Sequence, residues 1–167
     1  MKVTEDILPI NFQKGRKGPF LPDCIVIHVT EGDERSVRSW FHDPAANVSA
    51  HYMVTKAGEV VHFVHEYDTA WANGRVDHPT AKMVLERAPS NPNNWTISIE
   101  HEGNGKEELT TPQRAASLAL IRDIQTRHHL ILSDRRHIVG HHEIYSLKPC
   151  PGAISVDRIV NELNDNG

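Results

Sequence analysis

The stretch GHHEIYSLKPCPG, residues 140–152, contains two histidines, a lysine and a cysteine within one short segment. Imidazole nitrogen and thiolate sulfur are ligands that zinc prefers, which makes His141 and Cys150 candidates for a metal site. A cysteine nucleophile with a histidine base would need the same residue types. Alternation along a strand over 136–142 would place His142 on the face opposite His141. The stretch alone leaves a metal site, a cysteine hydrolase and a polar loop open.

Two further candidates lie at the ends of other predicted strands. The apolar run CIVIHV ends close after His28, and the alternating run WTISIEHE has Glu100 near its end. In open mixed sheets, functional sites form at the C-terminal ends of the strands. We therefore expect His28, Glu100 and His141 to converge, with Lys148 and Cys150 on a loop folded over the same edge. Two histidines and a cysteine would leave the fourth position of a catalytic zinc open for water.

The elements that would position these residues alternate between strand and helix, apart from one hairpin that turns at Gly58. This order predicts an α/β (α+β) fold, a single domain with a central mixed β-sheet flanked by helices. The predicted elements are strand 24–30, helix 33–43, hairpin 48–64, loop 73–94, strand 95–102, helix 109–129, strand 136–142 and helix 155–163.

Local signals add three expectations about these elements. The long helix 109–129 should begin with Thr111 as its N-cap, because a proline follows at a position where helices tolerate it. Trp40 should face the core together with the other apolar residues of its helix. Strand 95–102 should have one apolar face towards the core and one polar face that carries Glu100.

Length and composition indicate one globular domain. The chain has 167 residues, of which 38% are hydrophobic and 24% charged, enough for one buried core. A net charge of −4 without an extended basic surface argues against a nucleic-acid partner. No apolar run is long enough for a membrane span, and the N-terminus lacks the apolar segment of a signal peptide. Residues 1–22 are predicted to form an N-terminal arm packed on a domain comprising 23–167, and a monomer is favoured.

Six stretches in a fixed order resemble the type-2 N-acetylmuramoyl-L-alanine amidases. They are IVIHVTEG, VSAHYMVTKAGEVVHFV, DTAWANG, NPNNWTISIEHEG, LTTPQ and IVGHHEIYSLKPCPG, and together they cover roughly residues 20–155. The family includes bacteriophage lysozyme-type amidases, autolytic and recycling amidases of bacteria, and peptidoglycan recognition proteins. The resemblance implies the fold of these proteins, one zinc ion per chain, and hydrolysis of the amide between N-acetylmuramic acid and L-alanine in peptidoglycan. Residues 23–167 would then be a zinc amidase catalytic domain.

The resemblance also implies roles for individual residues. His28, His141 and Cys150 match the zinc ligands of the family. Glu100 matches the glutamate that activates water, and it would pass the proton to the leaving amine. Lys148 matches a lysine near the metal that is placed to stabilise the oxyanion. A thiolate ligand weakens the Lewis acid, and the lysine would compensate for this.

Three aromatic or imidazole side chains are candidates for the substrate groove. His51, Tyr52 and Trp71 could contact the sugar and the stem peptide, although Tyr52 and Trp71 are equally compatible with a role in the core. Some branches of the family have a catalytic tyrosine where this chain has Ala50, so Tyr52 is a possible substitute. Many relatives have a histidine at the position of Ala72, which puts the details of substrate binding there in doubt.

Other functions remain as alternatives. A cysteine hydrolase would use Cys150 and His141 without metal. A non-catalytic module would bind peptidoglycan, although such relatives usually lose the cysteine that this chain retains. Among enzymes, a phage endolysin or a bacterial autolysin is favoured over a cytoplasmic amidase that recycles wall fragments. In either setting the enzyme would be made in the cytoplasm, and an endolysin would reach the wall through a membrane pore.

Overall fold

Eight strands and four α-helices make up the computed structural model, which describes residues 2–165. Two short 3-10 turns lie at Pro92–Asn94 and His141–Glu143. In chain order the regular elements are β1 (Val3–Glu5), β2 (Phe12–Gln13), β3 (Cys24–Val29), α1 (Glu34–Phe41), β4 (Tyr52–Val54), β5 (Val60–His62), β6 (Thr69–Ala70), α2 (Lys82–Glu86), β7 (Thr96–His101), α3 (Thr111–Arg127), β8 (Ile138–Gly140) and α4 (Val156–Asp165).

The main sheet has six strands in the order β1-β5-β4-β7-β3-β8. Strands β4, β7, β3 and β8 are parallel, whereas β5 runs antiparallel to β4 and parallel to β1. The strands β2 and β6 form a separate antiparallel pair. The predicted α/β architecture with a central mixed sheet is therefore confirmed. None of the helices within residues 2–165 has both the length and the apolar character needed to cross a bilayer.

The two central strands are covered on both faces. Ile97 and Ile99 of β7 pack with α3 and α4 in the largest apolar cluster. Thr96 and Ser98, on the opposite face of β7, are 1% exposed each, so this polar face is buried as well. The predicted division of 95–102 into a core face and a polar face is thus only half correct. A parallel strand in the middle of a sheet is covered by other elements on both faces. On the polar face of β7, only Glu100 borders a cleft.

Three local expectations change in the structure. Thr110, not Thr111, caps α3, because its side-chain oxygen accepts the N–H of Gln113. Trp40 is 54% exposed, since only the side of α1 that carries Val37 and Phe41 packs on the sheet. The segment 73–94 is a loop only in part, as it includes the helix α2 and a 3-10 turn.

The hairpin and the N-terminal segment build the far edge of the sheet. β4 and β5 pair as predicted, and Gly58 takes a φ of +84° in the turn between them. Residues Val3–Glu5 extend this edge as β1, with Val3 opposite Val60. The segment 1–22 therefore contributes a strand to the main sheet.

A buried carboxylate ties the hairpin edge to the end of α3. Glu66 is 6% exposed and accepts hydrogen bonds from the hydroxyl of Tyr52, the guanidinium of Arg127 and the ring of His128. Burial would raise the pKa of Glu66, but these hydrogen bonds outweigh burial and hold its pKa far below the usual value. Such an interaction stabilises the fold only while the carboxylate is charged.

Replacing Glu66 by glutamine should therefore destabilise the protein at neutral pH and much less in acid. Removing one partner of a buried pair costs about 3–5 kcal/mol, and we expect about 2 kcal/mol because Arg127 is partly exposed. In the wild type this contribution is complete above the unfolded pKa of 4.5 and falls as the pH drops below it. Urea unfolding of both proteins at about pH 7 and about pH 3 measures the difference, because the contribution is lost only well below the unfolded pKa. A difference that does not shrink in acid would contradict the charged role of Glu66.

Candidate metal and catalytic site

The predicted site residues meet at the C-terminal ends of the parallel strands. His28 of β3 lies opposite Glu100 of β7 in the strand register. His141 lies just beyond β8, in the 3-10 turn, and Cys150 follows on the loop before α4. Because His141 lies outside the strand, strand alternation does not decide its orientation. The turn directs His141 into the site and leaves His142 exposed.

Three of these residues are close enough to share one metal ion. The Sγ of Cys150 lies 3.8 Å from Nδ1 of His28, and the rings of His28 and His141 are 4.5 Å apart between centroids. One potential ligand atom from each residue lies within 4.8 Å of the others. All three side chains are buried, and no other such group of histidine, cysteine and acidic residues occurs within residues 2–165.

Neighbouring backbone groups orient two of the three side chains. The carbonyl of Asn73 accepts a hydrogen bond from Nε2 of His141 at 3.1 Å, which leaves Nδ1 of that ring unprotonated and available to a metal. The N–H of Val29 donates to Sγ of Cys150 at 3.2 Å, a contact that favours a thiolate. Nε2 of His28 is buried without a hydrogen-bond partner among the described residues. The cluster is thus arranged as a ligand set with outer-sphere support.

Two carboxylates on β7 and just after it have different environments, although strand alternation puts them on the same face. One oxygen of Glu100 lies 3.9 Å from Nδ1 of His28, and the other is buried without a partner within residues 2–165. Burial, reinforced by the charge of Glu31, raises the pKa of Glu100 to about 8. Glu102 instead accepts the backbone N–H groups of Glu34 and Lys56, so it fixes loops. Glu100 is the carboxylate available for acid–base chemistry.

Burial also sets the protonation of the three candidate ligands. It lowers the pKa of His28 well below its usual value, and the neighbouring ring of His141 lowers it further. Burial likewise lowers the pKa of His141. Both rings are therefore neutral at physiological pH and can donate a lone pair. Burial raises the pKa of Cys150 to about 12, so this thiol needs a cation beside it to ionise.

Comparison with known proteins assigns the chain to a family. A sequence model described as N-acetylmuramoyl-L-alanine amidase, Amidase_2, matches residues 16–153. The chain belongs to the N-acetylmuramoyl-L-alanine amidase family. The matched range contains all five residues of the predicted metal and catalytic set.

Individual relatives agree with this family. The N-acetylmuramoyl-L-alanine amidase A of Achromobacter lyticus is 33% identical over 85 residues, which are 50% of this chain and 39% of that protein. The chain thus aligns with about two fifths of the length of this curated relative. A selenomethionine derivative of AmpD has the same fold, with a TM-score of 0.78 at 22% identity over 97% of this chain and 94% of that one. The amidase LysC from Clostridium intestinale gives a TM-score of 0.65 at 20% identity, with 98% of both chains covered.

A cleft with a volume of about 310 Å³ lies above the cluster of His28, His141 and Cys150, which line part of it. Trp71 and Lys148 both line it, as the sequence predicts. Within the described residues, no carboxylate forms an ion pair with the ammonium group of Lys148, so this group is free to meet a substrate. Sequence reasoning missed two other side chains that line the cleft, Glu31 and Tyr145. No local pattern marks either residue, because each lies on a loop whose path depends on distant contacts.

The structure does not bring His51 and Tyr52 into this cleft. His51 is 1% exposed, and its ring accepts the N–H of Ser98 and contacts the guanidinium of Arg16. Tyr52 points to the α3 side of the sheet, where its hydroxyl donates to Glu66. The interpretation of both as substrate contacts is therefore corrected to a structural role. Tyr52 is likewise not oriented to replace the tyrosine of other family branches.

Gly152 holds the cysteine-bearing loop against the loop that follows β7. It has a φ of +66°, and a Cβ at this position would collide with the backbone carbonyl of Gly105. That carbonyl also accepts the N–H of Ala153 at 2.9 Å. The close contact of these two loops fixes the position of Cys150 two residues earlier.

Replacing Gly152 by alanine should destabilise the protein by about 2–4 kcal/mol, from the positive φ and the backbone collision together. Gly15 offers a matched control, because it has a φ of +71° and no atom within 4 Å of an added Cβ. Gly15→Ala should therefore cost about 1 kcal/mol, the conformational part alone. Thermal and urea unfolding measure both variants. Equal losses of stability in the two variants would show that the contact between the two loops contributes nothing to stability.

Proposed function

We propose that this chain is a zinc-dependent amidase that hydrolyses the bond between N-acetylmuramic acid and L-alanine in peptidoglycan. The observation that carries the proposal is the buried cluster of His28, His141 and Cys150 with the carboxylate of Glu100 beside it. Membership of the amidase family supports the scissile bond. Two neutral imidazoles and one thiol match the borderline-soft character of zinc and its preference for nitrogen and sulfur.

The protonation state of the site also fits a metal. Cys150 is a buried thiol with a raised pKa that lies 3.8 Å from Nδ1 of His28, and a cation held by both atoms would favour the thiolate. When bound, zinc would supply Lewis acidity to polarise the scissile carbonyl and to acidify a water molecule. Three protein ligands leave room for this chemistry in a tetrahedral shell.

Glu100 would perform the proton transfers. Its side chain lines the cleft next to the three candidate ligands. As a carboxylate, Glu100 would take a proton from the attacking water, and as an acid it would give that proton to the leaving amine of L-alanine. A pKa raised by burial suits a group that must exist in both forms near neutral pH.

Lys148 would stabilise negative charge on the amide oxygen. Its ammonium group lines the cleft without a carboxylate partner in the described part of the chain. A cation preorganised near a developing oxyanion lowers the energy of the transition state more than that of the ground state. The charge of a thiolate ligand makes such a cation more important.

Replacing Lys148 by alanine should lower kcat by about 10²-fold while the zinc content stays at one per chain. KM should change much less, because the interaction strengthens only as charge develops. Steady-state kinetics on a muramoyl-peptide together with metal analysis make the measurement. Unchanged turnover with bound zinc would remove Lys148 from the mechanism.

The proposed activity is tested by digestion of purified peptidoglycan with and without a chelator, followed by mass spectrometry. We expect released peptides with new L-alanine N-termini and uncut glycan strands, and chelation should prevent the release of the peptides. Cleaved glycan or cleaved peptide cross-links would overturn the amidase proposal. Activity that survives chelation but not thiol alkylation would favour a cysteine hydrolase, and binding without release of amines would favour a non-catalytic module.

Polymeric cell wall is the proposed natural substrate, with lysis by a phage endolysin or a bacterial autolysin as the setting. The sequences of the matched motifs support this choice over recycling of soluble wall fragments. Turnover should accordingly be faster on sacculi than on an equal concentration of soluble muramoyl-peptides. The reverse preference would favour the recycling role.

A further inference from the structure

Two buried polar atoms beside the metal cluster have no hydrogen-bond partner of good geometry among residues 2–165. They are Nε2 of His28 and Oδ1 of Asn73. The first is a ring nitrogen that can carry a proton, and the second is an amide oxygen that can only accept one. Buried polar groups are nearly always paired, so these two atoms are candidates for pairing with each other.

Asn73 lies against both histidines of the cluster. It is 0% exposed, and its main-chain carbonyl accepts the hydrogen bond from Nε2 of His141 at 3.1 Å. The rings of His141 and His28 are 4.5 Å apart between centroids. Burial lowers the pKa of His28 most strongly, and the side chain of Asn73 opposes this effect because it is close enough to accept a proton from the ring. The amide of Asn73 therefore reaches His28, while its main chain holds His141.

Neighbouring hydrogen bonds fix which end of the Asn73 amide is free. The hydroxyl of Thr96 donates its only proton to the carbonyl of Pro92 at 2.9 Å. The same hydroxyl oxygen therefore accepts from Nδ2 of Asn73, also at 2.9 Å. The backbone N–H of Asn73 is held as well, because it donates to Oδ1 of Asn93 at 3.0 Å. With its NH₂ group and its backbone anchored in this way, Asn73 keeps Oδ1 as an unused acceptor.

Metal binding by His28 creates a need for such an acceptor. Nδ1 is the ring atom that faces the cluster, since it lies 3.8 Å from Sγ of Cys150 and 3.9 Å from an oxygen of Glu100. A neutral imidazole that coordinates through Nδ1 carries its proton on Nε2, on the other side of the ring. That nitrogen is buried, and a buried donor without an acceptor is costly. Metal-bound histidines accordingly almost always donate their second N–H to a nearby oxygen or water.

We infer that Oδ1 of Asn73 accepts the Nε2–H of His28 when zinc is bound, which makes Asn73 a positioning residue for both imidazole ligands. Its side chain orients His28 and its main chain orients His141. Both rings are thereby held in the tautomer that leaves Nδ1 unprotonated for the metal, so the site is preorganised before zinc arrives. The inference rests on the zinc site of the proposed function, and it adds a residue that neither binds the metal nor touches the substrate.

Zinc affinity, measured by competition with a chromophoric chelator, tests this role independently of catalysis. Asn73→Ala should bind zinc about 10–100-fold more weakly than the wild type, because the Nε2–H of His28 loses its acceptor. Asn73→Asp should bind zinc at least as tightly as the wild type, since a carboxylate accepts the same proton and raises the basicity of the ring. Both variants lose the amide N–H that Thr96 accepts, so the acceptor for His28 is what distinguishes them.

Nitrogen-15 NMR of the histidine rings gives a second readout that needs no variant. In the zinc-loaded wild type, His28 should carry its proton on Nε2, and this proton should be protected from exchange with water. In Asn73→Ala the signal of the same proton should be lost through exchange. Coordination of zinc through Nε2 of His28 in the wild type would overturn the inference, whether or not the variants fold.

Asn11→Ala is the matched control for general destabilisation. Asn11 is also a buried asparagine, at 6% exposure, and its Nδ2 donates to the carbonyls of Phe41 and Asp43 outside the lining of the cleft. This variant should lose stability and keep the zinc affinity of the wild type.

Three results of the affinity measurements would overturn the positioning role of Asn73. They are unchanged zinc affinity in Asn73→Ala, equal weakening in Asn73→Ala and Asn73→Asp, and equal weakening in Asn73→Ala and Asn11→Ala. Failure of the proposed amidase function would show differently. In that case a muramoyl-peptide would yield no product, while zinc affinity would still be lower in Asn73→Ala than in the wild type and Asn73→Asp.

Discussion

Replacing Cys150 by alanine should abolish the bound zinc and lower activity by at least about 10³-fold. Loss of one of three ligands leaves two neutral imidazoles, which hold zinc too weakly and leave its coordination shell open to water. Cys150 is buried at 8% exposure beside His28, so the substitution removes the sulfur ligand from inside the cluster. Metal analysis of the purified variant and turnover of a muramoyl-peptide give the two readouts. Full activity in a zinc-free Cys150→Ala protein would refute the metal site.

Cys24 provides the matched control for this substitution. It is buried at 2% exposure in the same strand as His28, but it lies at the opposite end of that strand, in the cluster with Trp95 and Val139. Cys24→Ala should keep one zinc per chain and full activity, with about 1 kcal/mol lost from stability through the small cavity. If both variants lost zinc equally, the effect of Cys150→Ala would reflect general destabilisation.

Glu100→Gln should lower kcat by about 10²–10⁴-fold and leave the zinc in place. The amide has almost the same shape as the carboxylate but can neither accept a proton from water nor deliver one to the leaving amine. Because the change affects the chemical step, KM should stay within a few-fold of the wild type. Zinc content and substrate affinity, measured alongside kcat, separate a lost proton transfer from a disturbed site.

Glu102→Gln tests whether activity depends on the environment of Glu100 or only on a carboxylate near the end of this strand. Glu102 lies two residues after Glu100 and carries the same charge, but its oxygens accept the N–H groups of Glu34 and Lys56. We expect this variant to lose about 1 kcal/mol of stability through weaker hydrogen bonds and to retain most of its activity. Equal losses of kcat in the two variants would mean that the charge near the cleft, and not proton transfer by Glu100, supports the reaction.

The contacts of Glu66 could not be predicted from local sequence. Tyr52, Glu66 and His128 lie far apart in the chain, and no periodic pattern connects them. Interpreting Tyr52 as a substrate contact was reasonable from its place in the hairpin. The hydroxyl finds Glu66 only because α3 packs on the same face of the sheet. The hydrogen-bond partners of buried polar groups often come from distant parts of the chain, and the spacing of residues in the sequence does not predict them.

The sequence by itself determined the ligand types, the strands that carry them and the edge of the sheet at which they meet. Apolar β-branched runs with a polar residue near the end specify parallel strands, and such strands place their ends together. Only the tertiary structure decided that a 3-10 turn directs His141, that Glu100 is free while Glu102 is used, that His51 is enclosed, and that Asn73 lies against both histidines of the metal cluster. Local periodicity fixes the direction of side chains within a strand, but beyond its end the direction depends on loops whose course is set by distant packing.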